Sequence, residues 1–438
     1  MRTIPPASRI SSPAARTHVR WQVIGFLFLF SFLTIVDRVA ISAAKGDMAR
    51  ELGISDVTFG FVFGVFALGY ALFQVPSGWC ADRFGPRLFL ALIVLLWSLF
   101  TGLTGLVHGA AVLIVIRFLF GGAEAGIYPT ASRAIYSWMP RSGRGAAQGY
   151  LFVGSRLGAA FGLAVVSWSV VHLGWRSAFY MLAAAGIVLA ALWYLWFRDR
   201  PEDKPGLSEA ELEYIRSDRE PASSGASEKL DWRKLLLSGN VLLLMYQYFA
   251  SNFTFFLAFS WLLPYLREHY SLSVTEAGGY ASIPLYFGAV ANWLSGLVVD
   301  GIYRRGHWRL SRWLPAVLGF ALAVLSLVFA ASMPTVLGAV VCFSLATLGV
   351  DMTLSPSWTA CQDIAGPHTG VLSGAMNMMG NIGSFVSSVT FPILVRTTGS
   401  AAAYFYLAAL LNIVAILCWL RIRPDNLPVS PHPKRSAT

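Results

Sequence analysis

Two charged residues, Asp37 and Arg38, sit side by side in the run FLTIVDRVAISAA, and RFLFGGAEAGIYPTASRAIYSW carries a second set, Arg117, Glu124 and Tyr128. Both runs are otherwise apolar over lengths that would cross a bilayer, where an ionisable side chain is costly unless it faces a cavity or a partner. Such residues can trade a proton against an anion: an acid between water and an arginine loads and releases protons, and a freed guanidinium offers a bidentate fork to a carboxylate. At helical spacing, positions 117, 121, 124 and 128 share one face, with Gly121 leaving room for an approaching helix or ligand. Asp37 and Arg38, about 100° apart, can serve a cavity and an interhelical partner. No catalytic residue and no cofactor are expected. The chain has no H-E-x-x-H, no G-x-S-x-G and no nucleotide loop, and its seven histidines do not cluster in the apolar runs. Cys80, Cys342, Cys361 and Cys418 lack C-x-x-C spacing, so no metal site is expected either.

The elements that must position these residues are membrane helices. Of 438 residues 56% are hydrophobic and 13% charged, with a mean hydropathy of +0.60, against about 25% charge in an ordinary soluble domain. This predicts an all-α polytopic membrane protein whose first partner is the lipid bilayer. Twelve apolar runs are long enough to span it: 20–43, 57–80, 87–107, 110–138, 146–170, 176–197, 238–265, 275–299, 311–331, 334–358, 369–395 and 401–421. The net charge of +11 is a topology signal and not a nucleic-acid footprint, because no basic run is interleaved with stacking aromatics. With both termini cytoplasmic, the inner segments hold Arg2, Arg9, Arg16, Arg20, Arg83, Arg87, Arg141, Arg144, the basic residues of 198–234, Arg304, Arg305, Arg309, Arg312, Arg421, Arg423, Lys434 and Arg435. The outer loops hold only Lys45, Arg50, Arg176, Arg267 and Arg396. A bacterial inner membrane is the expected location, and the polar start followed by a long apolar run argues against a cleaved signal peptide.

Composition divides the chain into an N-terminal six-helix bundle with its tail (1–197), a cytoplasmic linker (198–237) and a C-terminal six-helix bundle with its tail (238–438). In the linker, LSEAELEYI reads as a capped amphipathic surface helix, with Ser208 three residues before Glu211. An internal repeat supports two pseudo-symmetric halves, since S-G-x-x-x-D followed by basic residues ends the second run at Gly78–Asp82 and the eighth at Gly296–Asp300. Such a duplication encloses a complete pathway in one chain, so the monomer is the expected working unit.

The stretch G-x-x-x-D-R-x-G-x-R, carried by Gly78, Asp82, Arg83, Gly85 and Arg87, resembles the signature of the major facilitator superfamily. The resemblance implies a conformational latch at these residues and Asp300, with the acid capping a helix start and pairing with a neighbouring arginine. D-R in the first run combined with R-x6-E-x3-Y-P in the fourth resembles the anion:cation symporter family, which includes proton-driven sugar-acid transporters such as that for D-galactonate. That resemblance implies H+ as coupling ion and a small organic anion as cargo, a hexonate or aldarate. It makes Asp37 and Glu124 the protonatable pair, couples Arg117 to Glu124, and places Arg38 near the cargo carboxylate. Tyr70 matches the family's cavity tyrosine, Tyr128 lines the cavity, and Ser355, Trp358 and Asn381 match positions that contact sugar hydroxyls, with Asn377 a second amide. Two residues depart from the galactonate pattern. Arg156 replaces a glutamine and reads either as a cation for a second acidic group or as a brace for Asp37 or Glu124. Asp351 reads as glue for a basic group or as an acid near the cytoplasmic exit. An aromatic or small dicarboxylic cargo, a drug:proton antiporter and a non-transporting sensor are the alternatives; the antiporter is disfavoured because GYLFVGSRLGAAFG lacks the Gly-Pro signature.

Overall fold

The structure, a computed structural model, describes residues 17–217 and 237–422. Before the linker, α1 (Val19–Leu52), α2 (Asp56–Phe84), α3 (Pro86–Thr104), α4 (Ala110–Glu124) with α5 (Ile127–Trp138), α6 (Arg144–Leu173) and α7 (Trp175–Trp196) make six crossings. A short surface helix α8 (Glu209–Arg216) follows. Beyond it come α9 (Gly239–Phe256), which runs through a π-helical turn at Leu257–Trp261 into α10 (Leu262–Tyr270), then α11 (Val274–Arg304) and α12 (Trp308–Ala330). They are followed by α13 (Val336–Asp351) with α14 (Leu354–Ala365), α15 (Thr369–Thr398) and α16 (Ala402–Arg421). The apolar helical stretch Val336–Thr398 has 63 residues, about 95 Å at 1.5 Å per residue, far more than one ~30 Å core. Gly366 at φ 53 turns the chain back there, so this stretch is two crossings and the expected twelve are present among the described residues.

One boundary differs from the sequence reading. α1 runs on to Leu52, where Gly53 at φ 64 ends it, so Lys45 and Arg50 lie on its last turns and not in a loop. Polar residues are tolerated there because those turns project past the hydrocarbon, where a hydropathy window stops but the backbone does not. Two crossings are also interrupted. In the fourth, Pro129 cannot donate to the carbonyl four residues back, and the helix opens at 125–126; in the tenth, Pro356 does the same at 352–353. Consequently 117, 121, 124 and 128 do not lie on one uninterrupted helical face: Tyr128 lies in the first turn of a second segment.

Helices approach closely where they carry glycine. A β-carbon at Gly78 of α2 would collide with the Gly370 carbonyl of α15, and one at Gly296 of α11 with the Gly145 carbonyl of α6. These two crossings join the first six spans to the last six. Large apolar side chains such as Phe61, Val171, Leu195 and Phe385 are exposed around the outside, as a lipid-facing surface requires.

The expected linker helix begins with Ser208 accepting from the Glu211 N–H at 3.2 Å, but only half of the capping box forms. The Glu211 side chain is fully buried and turns to α1, where it accepts from Thr17 Oγ1, from the N–H groups of Val19 (3.1 Å) and Arg20 (3.3 Å), and from the Arg20 guanidinium (3.0 Å). It therefore caps α1 in place of its own helix. The rest of the linker, 218–236, and Arg2, Arg9, Arg16, Arg423, Lys434 and Arg435 lie outside the described residues. Substituting Glu211→Ala orphans the buried Val19 N–H, at roughly 1–3 kcal/mol, and removes the partner of partly buried donors on Thr17 and Arg20; the melting temperature of the purified protein should fall by a few degrees, whereas Glu213→Ala on the exposed face should leave it unchanged.

Candidate functional site

The first cluster lies where α1, α2 and α4 meet. Arg38 Nε donates to Glu124 Oε2 at 2.8 Å, with the glutamate fully buried and the arginine 24% exposed. The Arg38 guanidinium also lies over the Tyr70 ring at 4.5 Å. Gly121 makes this meeting possible, since a β-carbon there would strike the Phe66 carbonyl of α2. The direct partner of Glu124 is thus Arg38. Arg117 is packed between the Phe66 and Phe120 rings at 5.0 and 4.7 Å, within electrostatic reach of both Asp37 and Glu124. Neither oxygen of the buried Asp37 carboxylate meets a hydrogen-bond partner of normal geometry, although the Trp97 indole is close. A charged carboxylate without a donor at this depth is costly, and protonation removes that cost.

A second layer crosses the seam between the halves. Asn377 Nδ2 on α15 donates to Tyr70 Oη at 3.3 Å and to Gln74 Oε1 at 3.1 Å, both on α2, and Asn381 donates to the Asn377 carbonyl. Tyr128 stacks on Phe152 with centroids 5.5 Å apart and lies 6.1 Å from Trp358, whose indole N–H donates to Tyr248 Oη at 3.0 Å. Trp358 and Ser355 are buried, and Ser355 Oγ has no hydrogen-bond partner.

Arg156 braces neither Asp37 nor Glu124. It forms a fork with Asp351 across the seam, Nε to Oδ2 at 2.7 Å and Nη2 to Oδ1 at 2.5 Å, over the Phe255 ring at 3.8 Å. Asn292 Nδ2 of α11 adds a bond to Asp351 Oδ2 at 3.2 Å. Asp351 ends α13 next to the interruption, well before the basic end of the tenth crossing, so it is not an exit residue.

At that basic end the two repeat-related aspartates do the same thing to opposite halves. Asp82 accepts from the N–H groups of Gly370 and Val371 at 2.9 Å each, capping α15; Asp300 accepts from those of Gly145 and Ala146 at 2.8 Å each, capping α6. Of the other signature residues, Gly78 is in the seam, whereas exposed Arg83 lies over Trp79. Gly85 and Arg87 form a turn within the first half, where the Arg87 N–H donates to Asp199 at 2.8 Å. Burial lifts the Asp199 carboxyl above its usual range against the pull of that bond. The arginine beside Asp82 is Arg133, at 3.8 Å.

Sequence reasoning missed Gln74, Tyr248, Asn292 and Asp363; the last pairs with Arg312 at 2.7 Å and reaches Arg144 at 3.6 Å and Arg141 at 3.7 Å. A readable signal did exist for Asp351. Glu-Ala-Gly-Ile-Tyr-Pro at 124–129 and Asp-Met-Thr-Leu-Ser-Pro at 351–356 are repeat copies, each with an acid, a two-residue break and a proline at the same spacing.

Residues 27–388 match the family model described as Major Facilitator Superfamily. A probable sulfoacetate transporter of Cupriavidus necator is 34% identical over 96% of this chain and 97% of its own length. A probable galactarate/D-glucarate transporter of Bacillus subtilis is 30% identical over 94% of this chain and 93% of its own. Among solved structures, a proton:xylose symporter superimposes with a TM-score of 0.71 at 16% identity, covering 92% of this chain and 96% of that one.

Proposed function

Because the chain belongs to the major facilitator superfamily, and is thus a multi-pass membrane transporter and not an enzyme, we propose that it takes up a small organic acid anion together with protons. The proposed cargo is a sugar acid, a hexonate or aldarate; the relatives named as probable galactarate/D-glucarate and probable sulfoacetate transporters support an acidic cargo. The observation that carries this reading is the buried acid pair, Asp37 with no hydrogen bond of normal geometry and Glu124 held by an Arg38 that keeps 24% of its side chain exposed. Protonation of Glu124 releases the Arg38 fork, which then takes the cargo carboxylate. Tyr70, Asn377 and Asn381 reach the cargo from the seam, and Tyr128, backed by the fully buried Trp358, forms its aromatic wall. The basic end, assigned to the cytoplasm with both termini, is closed by the Asp82 and Asp300 caps, so this arrangement receives cargo from the opposite side. Each monomer holds its own pathway.

The test is radiolabelled uptake of galactonate, galactarate, glucarate and sulfoacetate into proteoliposomes under an imposed inward proton gradient. At least one should accumulate, and a protonophore should abolish accumulation; no flux for any of them overturns the reading.

A further inference from the structure

We propose that Arg156 and Asp351 form a second acid–arginine site which receives the second acidic group of a cargo with an acid at each end. The Asp351 carboxylate occupies the guanidinium as a stand-in until the cargo displaces it. This rests on the transport reading above and narrows its cargo to two-acid anions.

Four observations carry it. Asp351 occupies the repeat position of Glu124, each acid standing just before a proline-induced break, and each is bonded to an arginine. The duplication therefore supplies two acid–arginine pairs, one within the first half and one across the seam. The Arg156 fork is engaged by both oxygens of one carboxylate, the geometry a carboxylate ligand would adopt. The arginine keeps 14% of its side chain exposed while Asp351 keeps 2%, so the guanidinium and not the aspartate faces the open space. Finally, Tyr128 is within electrostatic reach of both Arg38 and Arg156, so the two guanidinium groups are neighbours of the same tyrosine.

The surroundings suit exchange. An arginine without an anion at membrane depth is costly, so the empty protein needs an internal carboxylate, and Gly288 leaves the space for it: a β-carbon there would strike Asp351 Oδ2. When a cargo acid takes the fork, Asn292 still donates to Asp351. A terminal hydroxymethyl group cannot make two charge-assisted bonds, so a one-acid cargo leaves Arg156 on Asp351 and gains nothing from it.

Matched ligands test this on the purified full-length protein: galactarate against galactonate, and sulfoacetate against 2-hydroxyethanesulfonate, each pair differing by one acid replaced with a hydroxymethyl group. The parent should bind the two-acid member of a pair at least about tenfold more tightly, the effect of bonds to a charged group. Arg156→Gln should bring that ratio near one, and Asp351→Asn should raise it by roughly tenfold because the competitor is gone. In the Arg156→Gln background, Asp351→Asn should no longer change the ratio; a change that persists there reflects general cavity charge and overturns the proposal. If either single variant fails to elute as a monodisperse species, the double variant decides: a ratio near one supports the exchange, and a parental ratio overturns it. Proton-driven uptake of the one-acid members with a parental ratio at or below one overturns this inference alone, whereas no uptake of any of the four overturns the transport reading with it.

Discussion

Asp37→Asn and Glu124→Gln should each abolish concentrative uptake while leaving exchange of cargo across the membrane without a gradient. Both acids are buried among helices that also hold Arg38 and Arg117, one with no hydrogen bond of normal geometry and one under a single guanidinium bond. An amide in either place keeps the shape and removes the proton carrier. Each proton moved beyond neutrality couples about 2.3 kcal/mol per 100 mV, or roughly fiftyfold accumulation. In proteoliposomes with an imposed gradient, the inside-to-outside ratio of the accumulated acid should fall from that range to one in either variant. Variants that still concentrate it as the parent does would end the proton-coupled reading.

Removing both caps at the basic end should shift the protein to a state open on that side. Asp82 and Asp300 together satisfy four main-chain N–H groups at the starts of α15 and α6. Replacing both with alanine leaves those donors buried and unpaired only while the end is closed, at about 1 kcal/mol or more each. The closed-to-open ratio should therefore drop by roughly a thousandfold, with each single variant in between. Spin labels at the exposed positions Phe84 and Arg305 would report this as a longer distance by pulsed electron resonance. An unchanged distance distribution in the double variant would show that the Arg141, Arg144 and Arg312 pairing with Asp363 is sufficient to hold the end shut.

The crossings were legible because apolar length and loop charge are properties of the chain itself. The paired repeat at Asp82 and Asp300 was legible for the same reason, though not the use made of it: both acids cap main-chain groups of the opposite half, and the arginine near Asp82 comes from α5 and not from the signature. Partner choice among buried charges was not legible. Asp37 and Arg38 are neighbours in sequence but only Arg38 reaches Glu124, and the fork between Arg156 and Asp351 exists only once α6 and α13 are brought together. The breaks after Glu124 and Asp351 were encoded by Pro129 and Pro356 but masked by apolar surroundings. Glu211 shows a local rule yielding to a tertiary one, since a buried site with several donors outcompetes the single N–H of its own cap.

That last contact has a practical corollary. With Glu211 fastened to the first turn of α1 and the Tyr214 ring 4.7 Å from the Arg20 guanidinium, α8 rides on the first half as a rigid appendage. A fluorophore at the exposed Glu213, read against a second dye on the other half, would follow the tilt of one bundle against its mate in real time, without any probe in the permeation route.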